Sequence, residues 1–91
     1  MTTYLISYDL IKNKDYSSLI EKIKSYGTWA KVLESTWIVS SNKSAIAVRD
    51  DILSVMDDDD RVFVIKTTNY AAWRHVQCSN DWLIEHLSDE E

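Results

Sequence analysis

Ninety-one residues with a net charge of −5 and 45% hydrophobic side chains describe one small domain, a size that buries about 60% of its unfolded surface and gains from association. Ten aromatic residues, four of them Trp, exclude a disordered chain, and no run of about 18 apolar residues is present to cross a membrane as a helix. The first residues lack a basic stretch followed by an apolar core, and the single cysteine, Cys78, allows no intramolecular disulfide, so a cytoplasmic setting is expected.

The charge is uneven along the chain. Residues 1–49 hold seven Lys or Arg against four Asp or Glu, a balance of +3, whereas residues 50–91 hold three against eleven, a balance of −8. This argues against a general nucleic-acid coat. It leaves room for one cationic face on an otherwise acidic molecule.

The segment TYLISYDL (3–10) predicts a first strand from its β-branched and aromatic content. A strand this apolar ends on a carboxylate, Asp9. Two readings stand: Asp9 tethers the following loop through backbone amides, or it is a metal ligand or acid–base group. Ser7 and Tyr8 flank it as plain strand residues or as groups that orient it and bind phosphate. The polar IKNK then breaks the pattern, and Asp15 stands at an N-cap position ahead of YSSLIEKIKSY. Leu19, Ile20, Ile23 and Tyr26 recur at helical spacing and give one apolar face. Gly27, the only glycine, falls where a left-handed residue ends a helix.

TWAKVLE (28–34) and STWIVSS (35–41) read as two strands with almost no connection between them. NKSAIAVRDDILSVM (42–56) predicts a second helix with Ala45, Val48, Ile52 and Val55 in one stripe. DDDD (57–60) lacks the alternate ligands, glycine and distal Glu of a calcium loop, and predicts a solvated turn. RVFVIKTT (61–68) is a further strand. NYAAWRHV is a short strand or a turn, and NDWLIEHL (80–87) a short helix. His75 and Cys78, even with His86, fall short of the four ligands of a structural zinc site.

The order is β-α-β-β-α-β with an appendage. It predicts an α+β, ferredoxin-like domain spanning 1–91, with two helices on one face of an antiparallel sheet. Its core covers 3–68, and a C-terminal appendage over 69–91 adds a short strand and helix. The opposite face is expected to carry Tyr4, Trp37 or Phe63 and to be covered by a second copy. Trp37 then reads as interface core, or as a base-stacking group.

The stretches YLISYDL, KSYG, TWAKVLESTWIV and DDDRVFVI together resemble the CRISPR-associated small ferredoxin-like nuclease family, the dimeric partner of the spacer integrase. They also resemble its stand-alone relatives, including virulence-associated protein D, a toxin-type ribonuclease. The resemblance covers roughly residues 3–68. It implies a homodimer with facing sheets, a fifth strand exchanged near the C-terminus (NYAAWRH being the candidate) and Asp9 at the two-fold axis. It further implies a metal-dependent endonuclease acting on RNA or DNA. Asp9 from both chains would then be the catalytic ligand of Mg²⁺ or Mn²⁺, with Tyr8, Lys12, Lys14, Lys31 and Ser35 as nucleic-acid contacts. The chain departs from the family in having LIKNK where Pro and Arg are usual, and in having Lys31 nearly alone in a strand usually rich in Arg. These departures point to the stand-alone members. The competing expectation is a non-catalytic dimeric module, toxin–antitoxin-like or regulatory, that binds a protein partner through its acidic C-terminal half.

Overall fold

A computed structural model describes residues 1–11 and 16–87. The elements run β1 (Thr2–Asp9), α1 (Ser17–Lys24), β2 (Trp29–Leu33), β3 (Thr36–Ser41), α2 (Ala45–Leu53), β4 (Arg61–Lys66) and α3 (Asn80–Leu87). They build an α+β fold of four antiparallel strands in the order β2-β3-β1-β4, with three helices. Among the described residues, no helix is long and apolar enough to cross a membrane.

Local sequence explains most of these boundaries. In β1 the alternation of Tyr4, Ile6 and Tyr8 puts three large side chains on one side, all buried. In α1, Leu19 and Ile23 are one turn apart and both buried. The expected cap Asp15 lies outside the described residues, and Tyr16 occupies the cap position. Gly27 takes φ of 89°, the left-handed conformation expected where α1 gives way to β2. The start of α2 is fixed by Ser44, whose Oγ accepts a hydrogen bond from the Ala47 amide at 3.1 Å.

The sheet is covered on both sides, by different elements. On one side Leu19 and Ile23 of α1 and Val48 and Ile52 of α2 pack against Tyr4, Ile6, Tyr8, Trp37 and Val39. On the other, Leu83 and Leu87 of α3 pack against Val32 and Ile38, with Leu5, Trp73, Val76 and Trp82 around them. Each fully buried Leu or Ile in these layers contributes roughly 1.5–3 kcal/mol by removal from water.

This arrangement corrects two expectations. Tyr4 and Trp37 do not lie on the face opposite α1 and α2. Tyr4 pairs with Val39 and Ile6 with Trp37, so all four point into the α1–α2 layer. Nor does a strand form from NYAAWRH: among the described residues, none follows Lys66. Trp73 and Val76 instead lean on the second cluster, and the Gln77 amide bonds the Val32 carbonyl at 2.9 Å. Phe63 is on the second face, as expected. Because α3 covers the β2–β3 half, the β1–β4 half stays open, with Phe63 61% and Ile65 49% exposed.

Candidate functional site

Alternation along β1 sends Leu5, Ser7 and Asp9 to the α3 side of the sheet, towards its open half. Asp9 ends the strand opposite Arg61, and Ser7 lies opposite Phe63 on one side and Thr36 on the other. The Ser7 and Thr36 hydroxyls are 3.2 Å apart. Ser7, Asp9, Arg61 and Phe63 thus line a shallow depression of about 170 Å³ at the strand end. Asp9 is exposed, and its carboxylate takes part in no hydrogen bond or ion pair with a described residue. It does not tether the described part of the loop that follows. That task falls to Asp60, whose Oδ1 accepts from the Ile11 amide at 3.2 Å while Oδ2 accepts from the Asp57 amide at 3.0 Å.

The remaining expected site residues are dispersed. Tyr8 points the other way, into the α1–α2 layer, where its hydroxyl accepts a hydrogen bond from Trp37 Nε1 at 3.1 Å. Burial pushes its pKa up, the Trp37 hydrogen bond opposes this, and the charge of Glu34 adds to it. Ser35 lies in the turn between β2 and β3 and receives the Tyr8 amide on its carbonyl at 3.1 Å. Lys31 is opposite Trp37 on β2. Its Nζ is 3.7 Å from Glu34 and 6.0 Å from the Trp37 ring centre. Lys12 and Lys14 lie outside the described residues. Of the expected contacts, then, Asp9 and Tyr8 border the depression, Tyr8 with its ring packed in the opposite layer.

The other metal candidates separate clearly. Carboxylate oxygens of Asp57, Asp59 and Asp60 lie within 4.8 Å of one another, the one such group of three among the described residues. The turn is not merely solvated, since Asp60 ties it to the end of β1. His75, Cys78 and His86 are not gathered. His86 instead stacks on Trp82 at 3.9 Å with Nδ1 2.8 Å from the Trp82 carbonyl.

Sequence reasoning missed Arg61 as the partner of Asp9, Thr36 as that of Ser7, and Asp60 as the anchor of the Ile11 amide. No local signal marks them, because they reach the strand end only through pairing of β1 with β3 and β4. The one available hint was the position of Asp60 and Arg61 at the start of a predicted strand, where any strand paired with β1 would meet its end. No protein-family model matches the chain.

Proposed function

We propose that the chain is a ferredoxin-like homodimer that hydrolyses phosphodiester bonds of RNA or DNA with the help of a divalent cation, as a relative of the CRISPR-associated small nucleases of the stand-alone kind. The element order and the central position of β1 and β3 in an antiparallel sheet support the fold name. One observation carries the activity: an exposed carboxylate at the end of a central strand, engaged by no side chain among the described residues, in a depression beside exposed apolar surface.

The donor chemistry fits Mg²⁺ or Mn²⁺ only when two chains meet. One Asp9 offers too few oxygens, but Mg²⁺ is usually held by one or two carboxylates together with waters and substrate phosphate. A two-fold axis over the open β1–β4 surface supplies the second Asp9, and burial of Phe63 and Ile65 there supplies the driving force. The cation, when bound, polarises the phosphoryl oxygens and lowers the pKa of its water. The chain's own residues bind and orient. Arg61 neutralises a phosphate next to Asp9, and the Ser7–Thr36 hydroxyl pair offers hydrogen-bond donors beside it.

A second reading, a non-catalytic module that binds a basic protein partner, is favoured by the exposed Asp57, Asp58 and Asp59. The deciding experiment incubates labelled RNA and DNA, single- and double-stranded, with wild type and Asp9→Ala in Mg²⁺ or Mn²⁺. Size exclusion establishes the assembly state of each protein. Cleavage by wild type, abolished by the substitution in an intact dimer, is the expected result. No cleavage by wild type, or equal traces from both proteins, leaves the interaction module as the better account.

A further inference from the structure

Among the described residues β4 has one neighbour in the sheet, β1. The Thr67 amide bonds the Thr3 carbonyl at 2.9 Å. Backbone groups alternate in direction along an antiparallel strand, so those of Arg61, Phe63 and Ile65 turn to β1 and those of Val62, Val64 and Lys66 turn outwards. This edge contains no proline, and its register with β1 runs from Arg61 to Lys66 without a bulge. Of the devices that blunt an edge, it has only a cation at each end. An apolar flank of α2 lies beside it. The helix sits over β4, and Asp51 marks its flank towards α1 by accepting from Tyr26, just past the end of α1. α1 reaches away from β4, with Lys24 Nζ 4.8 Å from the Trp29 ring of β2. The other flank of α2 carries Ile46 and Leu53, two turns apart and 63% and 43% exposed, and so overlooks the bare edge.

We propose that a second copy of the chain adds its own β4 to this edge, antiparallel, so that two four-stranded sheets join into one with the two α2 helices side by side. Charge selects the occupant and the register. Outward residues must stand opposite outward residues, which restricts the registers to steps of two residues. With Val62 opposite the partner's Val64, the two-fold axis passes through Phe63 and sets the two phenyl rings beside each other. Lys66 then falls opposite the partner's Asp60, next to the exposed Asp57, Asp58 and Asp59, and symmetry makes that contact twice. One step in one direction moves Lys66 opposite the partner's Val62. One step in the other moves Val64 opposite the partner's Asp60. Only the proposed register keeps both the valine pairs and the charge pairs. An unrelated extended peptide is the weaker occupant, because it must supply a cation and an acid at matching ends by chance. The contact is independent of the nuclease reading, whose axis lies over the open face. At ~4.8 Å between strands and ~3.3 Å per residue, the edge axis leaves the two Asp9 residues roughly 20 Å apart, too far to share a cation.

Disulfide trapping and sedimentation test the pairing. In a Cys78→Ser background, a protein carrying Val62→Cys and a tagged protein carrying Val64→Cys are mixed and oxidised. The expected product is a mixed disulfide dimer, formed far more readily than a dimer of either protein alone, because the two positions lie about 5.5 Å apart at Cα in the proposed register. Val62 and Val64 pack on the α1–α2 side of the sheet, so contact across the open face does not produce this bond. Sedimentation of wild type over a range of concentrations shows an association step. The surface change Lys66→Glu weakens that step about two- to thirtyfold, the size of two lost cross-strand charge pairs, and Leu53→Glu weakens it as well. Circular dichroism establishes that all variants are folded. No mixed disulfide, equal trapping of either protein alone, or association left unaltered by folded Lys66→Glu overturns the proposal. The two readings fail separately. Trapping without cleavage in Mg²⁺ or Mn²⁺ removes the nuclease and keeps the edge contact. Cleavage without trapping removes the edge contact and keeps the nuclease.

Discussion

Replacing Leu83 by alanine tests whether α3 is an integral layer of this fold. Leu83 is 1% exposed and packs with Leu87 against Val32 and Ile38. Truncating a buried leucine costs roughly 2–5 kcal/mol, depending on how far the surroundings close over the gap. Here α3 has only eight residues and rests on one half of one sheet face, so it can settle inward. A loss of about 2.5–3.5 kcal/mol is expected. Against a total of roughly 5–13 kcal/mol for a chain of this length, the variant still folds, with a Tm lower by about 10–25 °C. Ile84, the next residue, is 57% exposed, and Ile84→Ala should cost less than about 0.5 kcal/mol. Urea unfolding followed by both tryptophan fluorescence and far-ultraviolet circular dichroism measures the two variants, since Trp82 lies on α3 and Trp73 beside it. Equal midpoints for Leu83→Ala and Ile84→Ala would refute the seating of α3 on Val32 and Ile38. An early fluorescence transition with no change in the dichroism midpoint would refute its cooperativity with the rest.

Three further outcomes are expected. Asp51 accepts 2.6 Å hydrogen bonds from both Lys43 and Tyr26; the Lys43 bond, then that of Tyr26, holds its pKa below the ordinary carboxylate value, while burial, then the bond to Asp51, raises that of Tyr26. The stability from Asp51 is therefore present above the ordinary carboxylate pKa and lost as pH falls through the lowered one. That from Tyr26 is present below the ordinary tyrosine value near 10 and lost as pH rises past it. Tm measured against pH should show both limbs flattened in Asp51→Asn, and in Tyr26→Phe the alkaline limb flattened and the acid limb partly so, since Lys43 still holds Asp51; unchanged limbs would discard the network as a source of stability. Ser44→Ala removes the cap on α2 and should cost about 1 kcal/mol in urea unfolding, and a neutral result would show that the Ala47 amide finds water equally well. Phe63→Asp leaves the protomer folded but turns the proposed dimer into a monomer by sedimentation, with cleavage lost although Asp9 is intact; an undisturbed dimer would take the β1–β4 surface out of the interface.

The types and positions of most elements were legible because their signals are local. Leu19 and Ile23 mark α1 by spacing, Gly27 marks its end by conformation, and Ser44 marks the start of α2 by its hydroxyl. Sides of the sheet were not legible in the same way. Alternation tells that Tyr4, Ile6 and Tyr8 share a side, but which side the helices take follows from the pairing of Tyr4 with Val39 and Ile6 with Trp37, a register that period-two patterning leaves open. Trp37 was therefore expected at an interface and is instead core. NYAAWRH carried aromatic content that suits a strand, yet its Trp73 is used to seat α3, with Nε1 donating to Asn80 Oδ1 at 2.6 Å. At the candidate site the strand-end acid was legible and its setting was not, since Arg61 and Asp60 arrive from the far side of α2.

The strand order also sets a timetable for synthesis. The central strand β1 is made first, yet its partners β3 and β4 are made later, with Lys66 opposite Tyr4. At roughly 5–20 residues per second, β1 waits about 3–12 s after its own synthesis for the last of β4. During that interval the hairpin of β2 and β3 can pair and receive β1 on one edge, while the other edge of β1 stays bare. An apolar strand with an open edge is a template for misassembly. The bare edge of β1 is thus the nascent chain's most vulnerable feature until β4 is free to pair with it.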